Sequence, residues 1–209
     1  YDGHIVILAW KPYHYTPLTY DREALSALLR YYEAYACIGN FTKWLSSLGP
    51  LYHQTKRVIK YARAFCEDPE ERIFRFEDYS VYQIVDICLE QFRQMPNDGG
   101  DPVYLCHPGI ITLVTYDRKH GTNLFETLYA YLKNERNLSQ TSRELFLHRN
   151  TLQKRIEKIE SIIDEQLDSS AIRQRLLLSC AIVEYMQKVL HWDDIYMRRR
   201  GAPPTSALF

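Results

Sequence analysis

Residues 138–162 read LSQTSRELFLHRNTLQKRIEKIESI, and this stretch decides the fold of the C-terminal half of the chain. Ser139 is a candidate N-cap for a short helix that ends near Leu145. Residues 146–148 then form a tight turn, and a second helix is predicted to begin near Arg149. A short helix, a three-residue turn and a longer helix make the pattern of a helix-turn-helix.

The second helix of this pattern has two distinct faces. Leu152, Ile156 and Ile159 recur at i, i+4 and i+7, which predicts an apolar face that packs inward. Between residues 143 and 158 there are five basic and two acidic side chains, a net charge of 5 − 2 = +3. The remaining surface supplies the candidate DNA-binding side chains, which are His148, Arg149, Asn150, Thr151, Gln153, Lys154, Arg155 and Lys158.

These residue types suit nucleic-acid recognition. Asn, Gln and Arg form paired hydrogen bonds with base edges in the major groove, so we expect Arg149, Asn150, Gln153 and Lys154 to read bases. The positive end of the helix dipole and the Thr151 hydroxyl suit a phosphate, and Arg155 and Lys158 are the flanking phosphate ligands. A basic helix face is also commonly just solvated, and composition alone leaves both interpretations open.

The sequence around this motif is helical as well. Leu124, Leu128, Tyr131 and Leu132 form one apolar stripe, for which Thr122 or Asn123 is the expected cap, and a long final helix is predicted over about 170–190. Residues 193–209 lack periodicity and are expected to form a flexible tail. We therefore assign residues 104–192 to an all-α domain.

The first half alternates strand and helix patterns. Apolar runs at 4–10, 35–41 and 73–76 predict strands, the first of them buried on both faces. Helices are predicted between and after them: one capped by Asp21, one with Pro50 in its first turn, and one lined by Tyr82. Their apolar stripes are Leu25, Leu28, Leu29 and Tyr32, then Leu51, Thr55, Val58, Ile59, Ala62 and Phe65, then Tyr82, Val85, Leu89 and Phe92.

A clear boundary separates the two halves. Residues 94–102 read QMPNDGGDP, which holds two Pro, two Gly and an Asx cluster. We therefore expect an α/β module over 1–93, a linker over 94–103, and the helical domain after it. The expected fold class is mixed α+β, with a partial α/β module preceding an all-α helix-turn-helix domain.

Composition and charge narrow the class of protein. The chain has 209 residues, 46% of them hydrophobic, with 26 basic and 26 acidic side chains, which is ordinary globular usage. Its five cysteines show no CxxC pair or framework spacing, which favours free thiols and a cytoplasmic location. No apolar run is long enough to span a bilayer, so no membrane partner is expected. The chain opens without Met and almost at once with a strand pattern, so we expect a fragment of a longer protein.

Catalytic and metal motifs are missing from the sequence. It contains no GxxxxGK[ST], GxSxG, HExxH or GxGxxG, and none of its seven histidines is paired at helical spacing. Cys106 and His107 are adjacent, which is not a metal-ligand spacing. Asp98-Gly99-Gly100-Asp101 is similar in letters to a nucleotide-cyclase signature, but Pro102 follows it and it lies in the linker. We expect no enzyme activity, no cofactor and no metal.

Residues 116–160 resemble the C-terminal helix-turn-helix domain of the PucR/CdaR-type transcriptional regulators. That family's pattern has YD..HGT.L..TL..YL followed by N.S.TA..L..HRNTL..R...IE. The matching residues are Tyr116, Asp117, Gly121, Thr122, Thr127, Leu128, Tyr131, Leu132, Asn137, Thr141, Leu145, His148, Arg149, Asn150, Thr151, Leu152, Arg155, Ile159 and Glu160. Gln153 stands where the family commonly has Arg, and Ser142 where it often has Ala.

The resemblance implies a function and an N-terminal fold. It implies a sequence-specific DNA-binding regulator, an activator of a catabolic operon that responds to a small metabolite through a part outside this chain. The first half resembles the degenerate GGDEF-like domain of the same regulators, but the acidic metal-binding cluster is absent, so cyclase activity is not expected. The implied partners are double-stranded DNA and a second copy of the chain, as a homodimer or higher homo-oligomer associated with the nucleoid.

Two other functions stay open at this point. A non-catalytic interaction module would dock a partner through its aromatic surface, since the chain has 17 tyrosines. A nucleotide-handling enzyme on a cyclase-like fold would need paired carboxylates for magnesium, and Asp2 is the only candidate near the first strand.

Overall fold

The structure, a computed structural model, describes residues 3–9, 19–95 and 100–192. The chain divides into two compact units, Tyr1–Gln83 and Ile84–Phe209. This division falls within a long helix and not in the predicted linker at 94–103, whose residues 96–99 lie outside the described part. The predicted tail at 193–209 also lies outside the described residues.

The first unit contains helices and a small parallel sheet. Its elements are α1 (Arg22–Tyr31), β1 (Ala36–Ile38), α2 (Leu48–Phe65), β2 (Ile73–Arg75) and the start of α3 (Phe76–Arg93), with a 3₁₀ turn at Leu45–Ser47. β1 and β2 pair in parallel, with Ala36 opposite Ile73. A parallel pair needs a crossover connection, and α2 provides it. The predicted strand–helix–strand pattern is confirmed here, although each strand is only three residues long and Phe76 begins α3.

The core of this unit forms where α2 covers the strands. Val58 and Ala62 of α2 pack with Phe74 of β2, and all three are buried. The ring of Phe65 stacks on Tyr82 with 3.7 Å between the ring centroids. Burial of the predicted α2 stripe is thereby confirmed at its centre.

The strand predicted at residues 4–10 is wrong over its described part. Residues 4–9 adopt no strand, and Ile5 and Ile7 are 93% and 82% exposed. A strand needs a neighbour to satisfy its backbone hydrogen bonds, and in the described residues β1 and β2 pair with each other. Trp10 lies outside the described residues.

Helix α1 forms as predicted but does not bury its apolar stripe. The Asp21 side chain accepts a hydrogen bond from the backbone N–H of Ala24 at 2.9 Å, which confirms it as the N-cap. None of the residues of α1 is buried, and the side chains of Leu28 and Tyr32 are 54% and 68% exposed. Periodicity here predicted the helix and not its packing.

The second unit is entirely helical in its described residues. After the end of α3 and a 3₁₀ turn at Pro102–Leu105, its helices are α4 (Pro108–His120), α5 (Leu124–Lys133), α6 (Leu138–Glu144), α7 (Arg149–Ile163) and α8 (Ser170–Lys188). Helix α7 packs on α4, α5 and α6, and α5 packs on α8. The described residues contain no helix long and apolar enough to cross a membrane.

Candidate nucleic-acid interface

The helix-turn-helix begins at Asn137, one residue before α6. The Asn137 side chain accepts a hydrogen bond from the Gln140 N–H at 3.0 Å, so Asn137 is the N-cap. The prediction of Ser139 as the cap is wrong because Ser139 already lies in the first turn, where its carbonyl accepts from the hydroxyl of Ser142. Asn137 has the extended backbone that a capping residue needs.

The turn between α6 and α7 is held by backbone hydrogen bonds. The Leu147 N–H donates to the Ser142 carbonyl at 2.9 Å, and Phe146 has a left-handed φ of 52°. This is the Schellman arrangement that commonly closes a helix. His148 then caps α7, because its Nδ1 accepts from the Asn150 N–H at 3.2 Å. The predicted start of the second helix at Arg149 is confirmed.

Helix α7 is oriented by its apolar face. Leu152, Ile156 and Ile159 are all buried, as predicted, and Ile163 extends the stripe by one turn. Because these side chains pack on α4, α5 and α6, the opposite face of α7 must point to solvent.

The exposed face brings most of the predicted DNA-binding residues together. His148, Arg149, Asn150 and Thr151 are exposed at the start of α7, and Gln153 and Lys154 are exposed in the next turn. The Gln153 amide donates to the Glu157 carboxylate at 3.1 Å, a contact that a base edge could replace. The first two turns of α7 thus present hydrogen-bond donors, acceptors and positive charge on one surface.

Arg155 and Lys158 lie on the flanks of this surface and contact neighbouring helices. Arg155 is half-buried, and its Nη1 donates to the Thr127 hydroxyl of α5 at 3.1 Å. The Lys158 Nζ lies 4.9 Å from the centroid of the Tyr116 ring on α4. The two side chains therefore help to hold α7 in place as well as adding positive charge at its edge.

Helix α5, which supports α7, is capped from the preceding helix. Asp117 of α4 accepts from the backbone N–H groups of Leu124 at 2.9 Å and Phe125 at 2.7 Å, and also from the Thr122 hydroxyl. Asn123 occupies the N-cap position, which is one of the two expected residues, but its side chain makes no capping hydrogen bond, and Asp117 accepts from the N–H groups instead. Asp117 can reach these groups because Gly121, with φ 62°, ends α4 in a sharp turn.

The far end of α7 is fixed through the connection to α8. Glu160 accepts from the Leu167 N–H at 3.0 Å, and Leu167 is fully buried. Arg136, after α5, donates to the Leu167 carbonyl at 3.2 Å and to Asp168 at 2.6 Å, and Arg173 of α8 donates to the same carbonyl at 2.8 Å. These contacts connect the ends of α5, α7 and α8.

Cys106 and His107 have separate structural environments. Burial raises the pKa of the Cys106 thiol to about 12. His107 caps α4 by accepting from the Gly109 N–H at 3.1 Å, and its Nε2 lies 3.3 Å from Glu165. Among the residues that the structure describes, no group of three or more His, Cys, Asp or Glu side chains could hold a metal ion.

The helices that carry this surface match a known domain family. Residues 124–182 match the family model of the PucR C-terminal helix-turn-helix domain. The chain is 26% identical over 155 residues to the DNA-binding transcriptional activator AdeR of Bacillus subtilis (strain 168), a match that covers 74% of this chain and 33% of AdeR. It is 25% identical over 150 residues to the proline-responsive transcriptional activator PutR of the same organism, covering 72% of this chain and 34% of PutR. The chain thus spans about a third of the length of these relatives. No solved structure matches it significantly.

Proposed function

We propose that this chain is part of a sequence-specific DNA-binding transcriptional regulator, with α7 as its recognition helix, because residues 124–182 match the PucR C-terminal helix-turn-helix domain. The observation that carries the proposal is the exposed polar and basic surface over the first two turns of α7, directly after the turn of the motif. In helix-turn-helix proteins this is the part of the second helix that enters the major groove.

The proposed contacts follow from exposure. Arg149, Asn150, Gln153 and Lys154 are exposed at the start of α7 and are the base-reading residues. Each can form one or two hydrogen bonds with a base edge, and only the Gln153 amide must exchange its bond to Glu157.

Phosphate contacts are assigned to the edge of the same surface. The Thr151 hydroxyl and the free ring edge of His148 are exposed at the N-terminus of α7, where the helix dipole favours an anion. Lys158 is exposed and extends along the Tyr116 ring, and Arg155 has further guanidinium donors beyond the one it gives to Thr127. Both cations can therefore reach a phosphate while α7 stays packed.

The wider organisation is proposed by analogy with the relatives. Two relatives are named activators and one is named proline-responsive, so we propose an activator whose small-molecule effector binds a part outside this chain. We assign 1–93 to a degenerate GGDEF-like module, supported by the parallel β1–α2–β2 unit, 94–103 to a linker and 104–192 to the DNA-binding domain. The protein would act in the cytoplasm on the nucleoid, as a dimer on two half-sites, since one helix-turn-helix reads only a few base pairs.

The proposal is tested by fluorescence-anisotropy binding to mixed genomic duplexes between about 50 and 200 mM salt. We expect affinity that falls steeply with salt and is lost in the double variant Arg149→Ala/Lys154→Ala. The matched control is Lys43→Ala/Arg57→Ala, which removes the same charge from exposed positions of the first unit. Equal losses in both double variants would show that the chain binds by overall charge and not through α7.

Single variants then separate base readout from phosphate binding. On a duplex selected from the library, Arg149→Ala and Gln153→Ala are each expected to cost about 1–3 kcal/mol, and less on other sequences. Lys158→Ala is expected to weaken binding to all sequences alike and to reduce the salt slope by about one. Should the chain fail to bind at low salt even when fused to a dimeric coiled coil, DNA binding is refuted and an interaction module is favoured.

A further inference from the structure

Phe146, in the turn between α6 and α7, is the large apolar side chain most exposed to solvent in the described residues, at 95%. Its backbone is left-handed, with φ 52°, a conformation that favours glycine and is unfavourable for a residue with a Cβ atom. Exposed apolar surface and backbone strain both oppose a phenylalanine at this position. Neither is offset by a contact within the described chain that would account for an aromatic ring there.

The other left-handed positions show what the fold itself requires. Besides Phe146, the described non-glycine residues with positive φ are Glu33, Glu135, Arg136, Asp164 and His191. Every one of these is polar or charged, and all are exposed except Arg136, which is half-buried. An aromatic residue is therefore not needed to form this turn.

The surroundings of Phe146 indicate what its ring contacts. Exposed Arg143 precedes it on α6, and exposed His148 and Arg149 follow it at the start of α7. An apolar ring flanked by the guanidinium groups of Arg143 and Arg149 suits a surface that is negatively charged at its edges and has apolar groups inside. The major groove of DNA fits this description, since phosphates line it and the thymine C5-methyl is the apolar group that its base edges present.

We propose that Phe146 packs against a thymine C5-methyl group at the edge of the site that α7 reads, and so contributes to sequence preference. This inference rests on the proposed DNA-binding function. It adds to it a contact that requires an apolar side chain outside the recognition helix. Loss of one buried methyl group corresponds to about a fourfold change in affinity, from ~0.8 kcal/mol per methyl.

The experiment uses one duplex selected from a random-sequence library by the full chain, made once with thymine and once with deoxyuridine throughout. Wild type is expected to bind the deoxyuridine duplex about fourfold or more weakly. Phe146→Gly is expected to bind the thymine duplex several-fold more weakly than wild type does and to discriminate less between the two duplexes. Phe146→Tyr, which keeps the ring, is expected to restore most of the affinity and of the discrimination.

Two controls separate this contact from folding. Glycine relieves the strained backbone, so Phe146→Gly is expected to unfold at the same or a higher Tm while binding DNA more weakly, an outcome that a merely structural role would not give. His191→Gly makes the same change at another left-handed position, three residues after the end of α8, and is expected to leave affinity unchanged. Wild-type affinity in Phe146→Gly, or an undiminished preference of that variant for the thymine duplex, would overturn the proposal. Failure of the wild type to bind any duplex would instead refute the proposed function.

Discussion

Replacing Asp117 by Asn tests whether one carboxylate organises the support of the recognition helix. The two carboxylate oxygens of Asp117 accept from the N–H groups of Leu124 and Phe125, and Oδ1 also accepts from the Thr122 hydroxyl. The side-chain amide of asparagine has only one acceptor oxygen, and its NH₂ group would face one of the two backbone N–H donors, with which it cannot form a hydrogen bond. The variant thus loses one charge-assisted hydrogen bond, about 1.5–3 kcal/mol, and the charge–dipole attraction at the start of α5, about 0.3–1 kcal/mol.

We therefore expect Asp117→Asn to lower the free energy of unfolding of the second unit by about 2–4 kcal/mol. With a urea m-value of roughly 1.5 kcal/mol/M, the midpoint measured by far-UV circular dichroism falls by about 1.3–2.7 M. The control is Glu126→Gln, which removes an exposed carboxylate from the first turn of the same helix and is expected to cost only a few tenths of a kcal/mol. Equal falls of the urea midpoint in the two variants would show that Asp117 has no special role at the start of α5.

Three further predictions concern packing, pH and thiol reactivity. Leu152→Ala removes a fully buried side chain of α7 and is expected to lower the free energy of unfolding by about 2–5 kcal/mol, measured by urea unfolding. Burial raises the pKa of Glu71, but hydrogen bonds from two backbone N–H groups and from Arg22 outweigh it and hold the pKa below its usual 4.5. Ionised Glu71 thus stabilises the first unit fully above about pH 4.5, and this stabilisation is lost as the pH falls through the lowered pKa. The urea midpoint of wild type should exceed that of Glu71→Gln at pH 7, and the difference between the two midpoints should disappear in acid. The exposed Cys88 is expected to react with a thiol reagent at pH 8 in the native protein. Cys106 is buried and has a pKa raised to about 12, so it is expected to react only after unfolding. Fast labelling of Cys106 in the native protein, mapped by mass spectrometry, would contradict its burial.

The sequence predicts the second unit better than the first because helical patterns are local. Leu152, Ile156 and Ile159 lie on one face whatever the tertiary fold, so both the helix and its buried side followed from spacing. A strand depends on a partner that spacing does not specify, and the apolar run at 4–9 forms no strand in the structure. The stripe of α1 illustrates the same limit, since Leu28 has the helical spacing of a core residue but is half exposed.

Helix caps define a second limit of prediction. The rule that the residue before a helix caps it with its side chain holds for Asp21, which accepts a hydrogen bond from Ala24 in the first turn of α1. It fails for α5, where the acceptor is Asp117, seven residues before Leu124 and on another helix. The match to the YD..HGT pattern included Asp117 but gave no reason for an acidic residue there. The structure gives the reason, since the turn at Gly121 brings the start of α5 within hydrogen-bond distance of the Asp117 carboxylate. For the candidate site, the pattern located the exposed residues of α7 and could not show that Arg155 also bonds to Thr127.

The contacts of α7 imply where sequence preference can change and where it cannot. The backbone of α7 is held by its buried apolar side chains, by the hydrogen bond from Arg155 to Thr127 of α5, and by the hydrogen bond that Glu160 accepts from Leu167. The helix therefore has little freedom to shift on the DNA. Side chains in its first two turns are exposed and can adopt new rotamers, and a preorganised helix spends little entropy on binding. Substitutions such as Asp117→Asn should therefore reduce affinity for all duplexes in proportion to the unfolded fraction. Substitutions among the exposed residues should alter the ratio of affinities between sequences while leaving the urea midpoint unchanged.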